Sequence, residues 1–308
     1  MLATFNASAP IALIILLGYV LNRYKVAGPE IWSAIEHVCF YILFPFLIVR
    51  TLAGADLAEL PVANFAMVLF GGATGMALLM LAARPVLGHY GVSGPTFTSL
   101  FQGATRFHGF MALAVIGALY GQPGLALGAL AISFLVPILN ILSIIVLTIW
   151  GDAEQAPSLR NVLMRIVQNP LIWACLAGLA LNMTGVPVFV FSAIEIIGDG
   201  GLGLAMLAVG AGLQLDRIAE TKRLLAVGVA IRMIGMPVLI IFLAWLVGLE
   251  GLPRTVAIIA GAVPTASTAY VMARKMGGDA ELMANIVTLQ VVTSAVTLPL
   301  FIYIAQIL

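Results

Sequence analysis

The chain has 308 residues, of which 62% are hydrophobic and 9% are charged. Soluble domains carry charge on about a quarter of their residues, so this composition excludes a protein with an ordinary water-facing surface. The formal net charge is +1, and the basic side chains are scattered at the ends of apolar runs, which argues against nucleic acid as a partner.

Apolar runs long enough to cross the hydrocarbon layer of a membrane recur along the whole chain. Proline and glycine stand at the ends of these runs or at candidate kinks, and the alternating pattern of a membrane barrel is missing, so each run is predicted to be a helix. The ten predicted spans lie near residues 8–22, 30–53, 62–83, 95–119, 123–149, 170–185, 187–213, 223–248, 253–275 and 281–307. We therefore expect an all-α integral membrane protein of about ten transmembrane helices, with the lipid bilayer as its surroundings.

The basic residues near the span ends predict the orientation of the chain. One set of alternate loops contains Arg23, Lys25, Arg84, Arg160, Arg165, Arg217, Lys222, Arg223, Arg274 and Lys275. The other set contains Arg50 and Arg254. Because loops rich in Lys and Arg stay in the cytoplasm, both termini are predicted to lie outside it. We expect a multi-pass protein of a cell membrane such as the bacterial inner membrane.

Short motifs recur between the two halves of the chain at an offset of about 158 to 160 residues. The matches are Ser33–Glu36 with Ser192–Glu195, Leu21-Asn22 with Leu181-Asn182, Pro95 with Pro253, and Gly103-Ala104 with Gly261-Ala262. Five spans per half is an odd number, so the second half enters the membrane from the opposite side, as in inverted-repeat transporters. The predicted organisation is a first five-helix repeat in residues 1–150, a cytoplasmic connecting loop in 151–169, and an inverted second repeat in 170–308.

The fourth and ninth predicted spans are each interrupted near the middle. A polar cluster follows Gly103 in the fourth span, and Pro264 in the ninth removes a backbone donor and clashes with the preceding turn. Interrupted helices present unpaired backbone groups and positive half-helix N-termini at mid-membrane, which favours an anion. The candidate substrate-binding residues are Gln102, Gly103, Thr105, Arg106, His108, Pro264, Thr265, Ser267 and Thr268.

Arg106 is the most informative of these residues, because an arginine at membrane depth is costly and normally faces a cavity or a partner. It could bind a substrate carboxylate through two parallel hydrogen bonds, with His108 donating another. Alternatively, it could pair with an internal carboxylate such as Asp199 or Glu195. Asp199, inside the seventh span, is a candidate for proton coupling or charge pairing. Glu36 and Glu195 occupy equivalent repeat positions and could share these roles or mark interfaces.

Several motifs carry a family resemblance. The most specific runs from Pro264 to Arg274 and continues with Gly277–Leu282, and the supporting pieces are Phe44-Pro45, Leu207–Leu213 and Thr297–Pro299. With these motifs the chain resembles the auxin efflux carrier family. The resemblance implies two inverted five-helix repeats, similar also to the bile acid sodium symporter fold, with fourth and ninth helices that cross at their breaks. It implies that the candidate residues frame the substrate and that the chain forms a homodimer. The fourth span departs from the family's asparagine- and proline-bearing pattern, which leaves the substrate open.

The leading hypothesis is a secondary transporter of small organic anions, mono- or dicarboxylates, that works by alternating access. The alternatives are a sodium-coupled organic anion symporter of the bile acid symporter type and a membrane ligand sensor that transports nothing. No enzyme, cofactor or metal site is expected. Gly198–Gly203 matches the dinucleotide-binding glycine pattern, but it lies in an apolar run without the strand that such a site needs.

Overall fold

The computed structural model describes residues 2–55, 61–152, 164, 167–213 and 222–308. All regular secondary structure in these ranges is helical, as the sequence predicts. The predicted connecting loop 151–169 lies mostly outside the described residues. Arg160, Arg165 and Arg217, which enter the orientation argument, lie outside them as well.

The predicted spans fall on helical segments, and one long helix, Gly109–Trp150, covers the end of the fourth span and the whole of the fifth. The helices are α1 (Leu2–Arg23), α2 (Pro29–Val38), α3 (Phe44–Ala53), α4 (Val62–His89), α5 (Gly94–Thr105), α6 (Gly109–Trp150, kinked at Gly121), α7 (Pro170–Thr184), α8 (Val188–Asp199), α9 (Gly201–Ala211), α10 (Lys222–Ala230), α11 (Met236–Val247), α12 (Gly251–Ala262), α13 (Thr268–Lys275) and α14 (Ala280–Ile307). Among the described residues, 6 helical stretches are long and apolar enough to cross a membrane, and shorter apolar helices accompany them.

Two π-helical turns, Cys39–Leu43 and Ile231–Gly235, connect α2 to α3 and α10 to α11. A proline follows shortly after each turn, at Pro45 and Pro237. A proline in a helix has no N–H to donate, and its ring clashes with the carbonyl four residues earlier. In both places the residue before the proline donates to the carbonyl five residues earlier. This wider turn allows the helix to continue past the proline.

The chain forms two compact units. The first consists of Met1–Pro61, Gly109–Ser133 and Arg165–Leu213, and the second of Val62–His108, Phe134–Met164 and Gln214–Leu308. Each unit is therefore built from segments of both predicted halves.

Glycines bring helix backbones together in the first unit. A Cβ atom at Gly18 of α1 would overlap the carbonyl oxygen of Leu207 in α9. A Cβ atom at Gly178 of α7 would lie 2.9 Å from the Cβ atom of Leu52 and 3.2 Å from the carbonyl oxygen of Val49, both in α3. These positions leave no room for a side chain, which is the usual basis of close helix packing in membranes.

In each of the two helix pairs, α1 with α9 and α7 with α3, an asparagine of one helix caps the C-terminal end of the other. Asn22 Nδ2, at the end of α1, donates to the carbonyl of Ala211, the last residue of α9, at 2.8 Å. Asn182 Nδ2, near the end of α7, donates to the carbonyls of the last two residues of α3 and of Ala55 at 2.7–3.2 Å. The last carbonyls of a helix have no helical partner, and these amides bind such carbonyls.

In the second unit, a hydrogen-bond network joins the N-terminal ends of α5 and α14. Ser93 Oγ accepts from the N–H of Thr96 at 3.2 Å and caps α5, and Asp279 Oδ1 accepts from the N–H of Leu282 at 3.0 Å and caps α14. Thr96 Oγ1 also donates to Asp279 Oδ2 at 3.1 Å, and Ser99 Oγ donates to the Asp279 carbonyl at 2.8 Å. Asp279 therefore binds both helices.

Replacing Asp279 with alanine is expected to lower the free energy of unfolding by about 2 kcal/mol, the sum of a lost helix cap and a lost hydrogen bond to Thr96. Asp279→Asn serves as the control, because asparagine caps helices as well as aspartate does. Thermal unfolding of the detergent-solubilised variants measures the difference. Equal destabilisation by both substitutions would contradict the capping role.

Candidate functional site

Helices α5 and α12 end in the same geometry. Each contains 12 residues, and the next residue is extended, with φ −72° and ψ 151° at Arg106 and φ −72° and ψ 150° at Val263. Helical structure resumes at Gly109 and at Thr268. The predicted interruptions of the fourth and ninth spans are confirmed. The interruption of the fourth span contains no proline.

The two interruptions lie against each other, and we call residues 103–108 together with 261–268 the crossover. The N–H of His108 donates to the Pro264 carbonyl at 2.7 Å. Thr265 Oγ1 lies within hydrogen-bonding distance of the carbonyls of Gly103, at 3.0 Å, and Arg106, at 3.2 Å. These bonds satisfy backbone groups that have no helical partner at a break.

Gln290 of α14 adds a side chain to the crossover, and sequence reasoning missed it. The residue is fully buried. Its Oε1 accepts from the N–H of Thr265 at 2.9 Å, and its Nε2 donates to the carbonyls of Gly103 at 2.9 Å and Gly228 at 3.1 Å. A glutamine in the middle of a predicted membrane span was the available signal, because such an amide needs polar partners.

Arg232 is a second residue without an assigned role in the sequence analysis. It is 1% exposed, and its Nε and Nη2 donate to the carbonyls of Val263 at 2.9 Å and Ala260 at 3.0 Å. These carbonyls stand at the C-terminal end of α12, where a helix carries partial negative charge. The guanidinium therefore balances this helix end.

A small cavity adjoins Arg232, with Thr105, Phe107 and Gly261 among its lining residues. Its volume is about 20 Å³, which is room for roughly one water molecule. Pockets for small organic molecules measure about 300–1,000 Å³, so this cavity is too small for an organic anion in the conformation described.

Arg106 binds the beginning of α13. Its Nη2 donates to Thr268 Oγ1 at 3.3 Å, and its Nη1 lies 3.3 Å from the sulfur of Met272, one turn further along. Thr268 is the first residue of α13, so the guanidinium stands at a helix N-terminus. Among the described residues, Arg106 makes no ion pair with a carboxylate.

The predicted internal carboxylates have a different partner. Arg50, in the last turn of α3, binds Asp199, and its Nη2 lies 3.0 Å from Glu195 Oε1. Within the first unit, both carboxylates that the sequence analysis considered as partners of Arg106 are therefore paired with Arg50. Glu36 lies exposed on α2. Two carboxylates beside one guanidinium leave one negative charge in this cluster.

The remaining predicted site residues differ in their surroundings. Gln102 is fully buried one residue before Gly103, and neither polar atom of its side chain has a hydrogen-bond partner among the described residues. Thr105 is also buried, and its hydroxyl donates to the Phe101 carbonyl at 2.8 Å. Ser267 precedes α13 without capping it through its side chain.

Comparison with known proteins identifies a matching family and several relatives. Residues 3–302 match the model of a family described as "Membrane transport protein". An uncharacterized transporter of Methanothermobacter thermautotrophicus is 23% identical over 94% of this chain and 95% of its own length. Auxin efflux carrier component 3a of Oryza sativa subsp. japonica is 30% identical over 36% of this chain, and component 6 of Arabidopsis thaliana is 30% identical over 42%.

The match to the plant carriers covers a limited part of those proteins, 19% of component 3a and 24% of component 6. The family model, by contrast, extends over nearly the whole of this chain. Together with the all-helical, apolar architecture, it identifies a multi-pass membrane transporter. The chain belongs to the auxin efflux carrier family of membrane transport proteins.

Proposed function

We propose that this transporter is a secondary carrier of small organic anions, mono- or dicarboxylates, which binds its substrate at the crossover and works by alternating access. The observation that carries the proposal is the position of Arg106. Its guanidinium binds the first residue of α13 and makes no ion pair among the described residues.

Positive charge accumulates beside Thr268 from two sources. The guanidinium contributes a full charge, and a helix N-terminus contributes roughly half a charge. This is the reverse of the stabilising arrangement, in which an acidic group stands at a helix N-terminus. A bound carboxylate would interact favourably with both sources and would give the arginine the partner that a low-dielectric medium requires.

The side-chain amide of Gln102 is the proposed hydrogen-bonding partner for polar groups of the ligand other than the carboxylate. A buried polar group without a partner costs about 1–3 kcal/mol, so the side-chain amide of Gln102 favours a state in which a substrate or water binds it. The N–H of Arg106 donates to the Gln102 carbonyl at 3.0 Å, which keeps the two residues close together. His108, Ser267 and Thr268 complete the proposed binding residues.

Equivalent contacts in the two halves support the inverted repeat that alternating access requires. Asn22 and Asn182, the two helix-capping asparagines, are 160 positions apart, and so are Gly18 and Gly178, the two close-packing glycines. The matching ends of α5 and α12 add a third equivalence. We propose two inverted repeats of five helices, 1–150 and 170–308, in a homodimer of the bacterial inner membrane with both termini outside the cytoplasm.

The Arg50 cluster is our candidate for coupling. The cluster contains two carboxylates, Asp199 and Glu195, and one guanidinium, that of Arg50. We propose that the carboxylate in excess binds a proton or a cation during transport. Glu36, the repeat equivalent of Glu195, is a second candidate.

Transport by the purified protein in proteoliposomes tests the proposed function. The probes are radiolabelled malonate as a dicarboxylate, benzoate as a monocarboxylate and benzamide as a neutral control. Saturable uptake of at least one carboxylate, without uptake of benzamide beyond protein-free liposomes, is the expected result. Acceleration by a sodium gradient alone would assign the sodium symporter alternative, and binding without flux would assign the sensor.

A further inference from the structure

One side chain of α14 binds the backbone on both sides of the crossover. Gln290 accepts from the N–H of Thr265 and donates to the carbonyl of Gly103, each at 2.9 Å. Its second donated bond, at 3.1 Å, goes to the carbonyl of Gly228 in α10. Three backbone segments that are distant in sequence thus meet at one amide.

We propose that Gln290 is a positioning residue for the anion site: its amide holds the two interruptions of the crossover in the relative position that lets Arg106 and α13 bind one carboxylate. This inference rests on the function proposed above. Gln290 itself contacts backbone and not the proposed ligand position, so its effect passes through Gly103 and Thr265.

The chemistry of the three bonds requires an amide. The position needs one acceptor and two donated bonds, which the glutamine side chain supplies from its carbonyl and NH₂ groups. A carboxylate accepts but does not donate, and an apolar side chain does neither. Because Gln290 is 0% exposed, bulk water cannot replace the lost bonds.

The packing around Gln290 brings the three backbones within its reach. Ile286, one turn earlier on α14, lies against two glycines. A Cβ atom at Gly103 would lie 2.8 Å from Ile286 Cγ2, and one at Gly228 would lie 3.2 Å from Ile286 Cδ1. The absence of side chains at Gly103 and Gly228 allows α5 and α10 to lie close to α14, and the carbonyls of both glycines are within hydrogen-bonding distance of Gln290.

Two of the three backbone groups that Gln290 binds lie three residues before the two residues that form the proposed anion site. Gly103 precedes Arg106 by three residues, and Thr265 precedes Thr268 by three residues. The 3.3 Å contact between Arg106 and Thr268 therefore depends on the relative position that Gln290 sets. A shift of roughly 1 Å in a binding group can cost on the order of a hundredfold in function.

Two substitutions separate the bonds of Gln290. Gln290→Met retains a similar shape and removes all three bonds, whereas Gln290→Glu retains the acceptor for Thr265 and loses the donors. Thr293→Val is the matched control, because the Thr293 hydroxyl donates to the carbonyl of Leu289 in the same helix and to no other group among the residues that the structure describes. Uptake is measured with whichever of malonate and benzoate the unsubstituted carrier takes up faster.

We expect Gln290→Met to raise the KM for that carboxylate about tenfold or more, because the binding groups are displaced. Gln290→Glu should also raise the KM, and Thr293→Val should leave it within about twofold. Hydrogen exchange followed by mass spectrometry should show faster exchange of the amides of 263–270 in Gln290→Met and not in the control. A purely structural loss would lower the amount of active carrier, and hence the maximal rate, at unchanged KM.

Each result is decisive for the inference. An unchanged KM in both Gln290 variants would overturn the positioning role, whether or not the exchange at 263–270 changes. If both Gln290 variants fail to elute as monodisperse protein, Gln290 is a folding residue and the inference is wrong. If the unsubstituted carrier transports neither carboxylate, the proposed function fails, and the exchange measurement alone then decides whether Gln290 holds the crossover.

Discussion

Saturable anion uptake should be lost when Arg106 is replaced by alanine, while the protein remains folded. Arg106→Ala removes the guanidinium that we propose as the main partner of the carboxylate, and truncating one member of a buried charged pair costs about 2–5 kcal/mol. A loss of about 3 kcal/mol corresponds to more than a hundredfold weaker binding. Initial rates of malonate and benzoate uptake into proteoliposomes measure the effect.

Two further variants sharpen this result. Arg106→Lys retains the charge but not the planar fork that binds a carboxylate through two bonds, so we expect partial activity. Lys275→Ala removes an exposed charge from the other end of α13 and should leave uptake close to that of the unsubstituted protein. Uptake that is indifferent to Arg106→Ala would remove the basis of the proposed site.

The largest effect on stability is expected from Gly210→Ala in α9. A Cβ atom at this position would overlap the carbonyl oxygen of Ile15 in α1 and lie 2.9 Å from the backbone nitrogen of Tyr19. Backbone atoms cannot move aside by changing a side-chain rotamer, so the two helices would have to separate. Overpacking typically costs about 1–3 kcal/mol, and we expect this substitution to reach the upper end of that range.

Gly203→Ala in the same helix is the matched control for Gly210→Ala. A Cβ atom at Gly203 meets nothing within 4 Å, and alanine is the better helix former. Thermal unfolding in detergent should therefore show a lower midpoint for Gly210→Ala and an unchanged or higher one for Gly203→Ala. Equal midpoints for the two variants would contradict the close approach of α1 and α9.

Local sequence signals predicted much of the helical architecture. Hydropathy placed the spans because the membrane requires about 20 apolar residues per helix, and glycine and proline marked the places where helices end or change geometry. Pro264 marked the break in the ninth span directly. The break in the fourth span has no proline, and its signal was the polar cluster between Gly103 and Gly109.

The pairing of charged groups was predicted less well. Asp199 was recognised as an acid inside an apolar span, but its partner Arg50, 149 positions away in sequence, was counted only in the orientation argument. Arg232 and Gln290 were left out of the candidate site because neither belongs to a local motif. Their partners are backbone carbonyls and an N–H, which every residue carries and which sequence patterns therefore cannot distinguish.

The sequence by itself determined that this chain is a helical membrane protein with two interrupted spans, because hydropathy, proline and glycine act within a few residues. The tertiary structure decided that the interruptions meet, that Arg106 stands at the N-terminus of α13, and that Gln290 and Arg232 bind the broken backbone. These contacts join residues from separate helices. They depend on which glycines allow backbones to approach and on which unpaired groups then come within hydrogen-bonding distance, and both follow only from the packing of the whole unit.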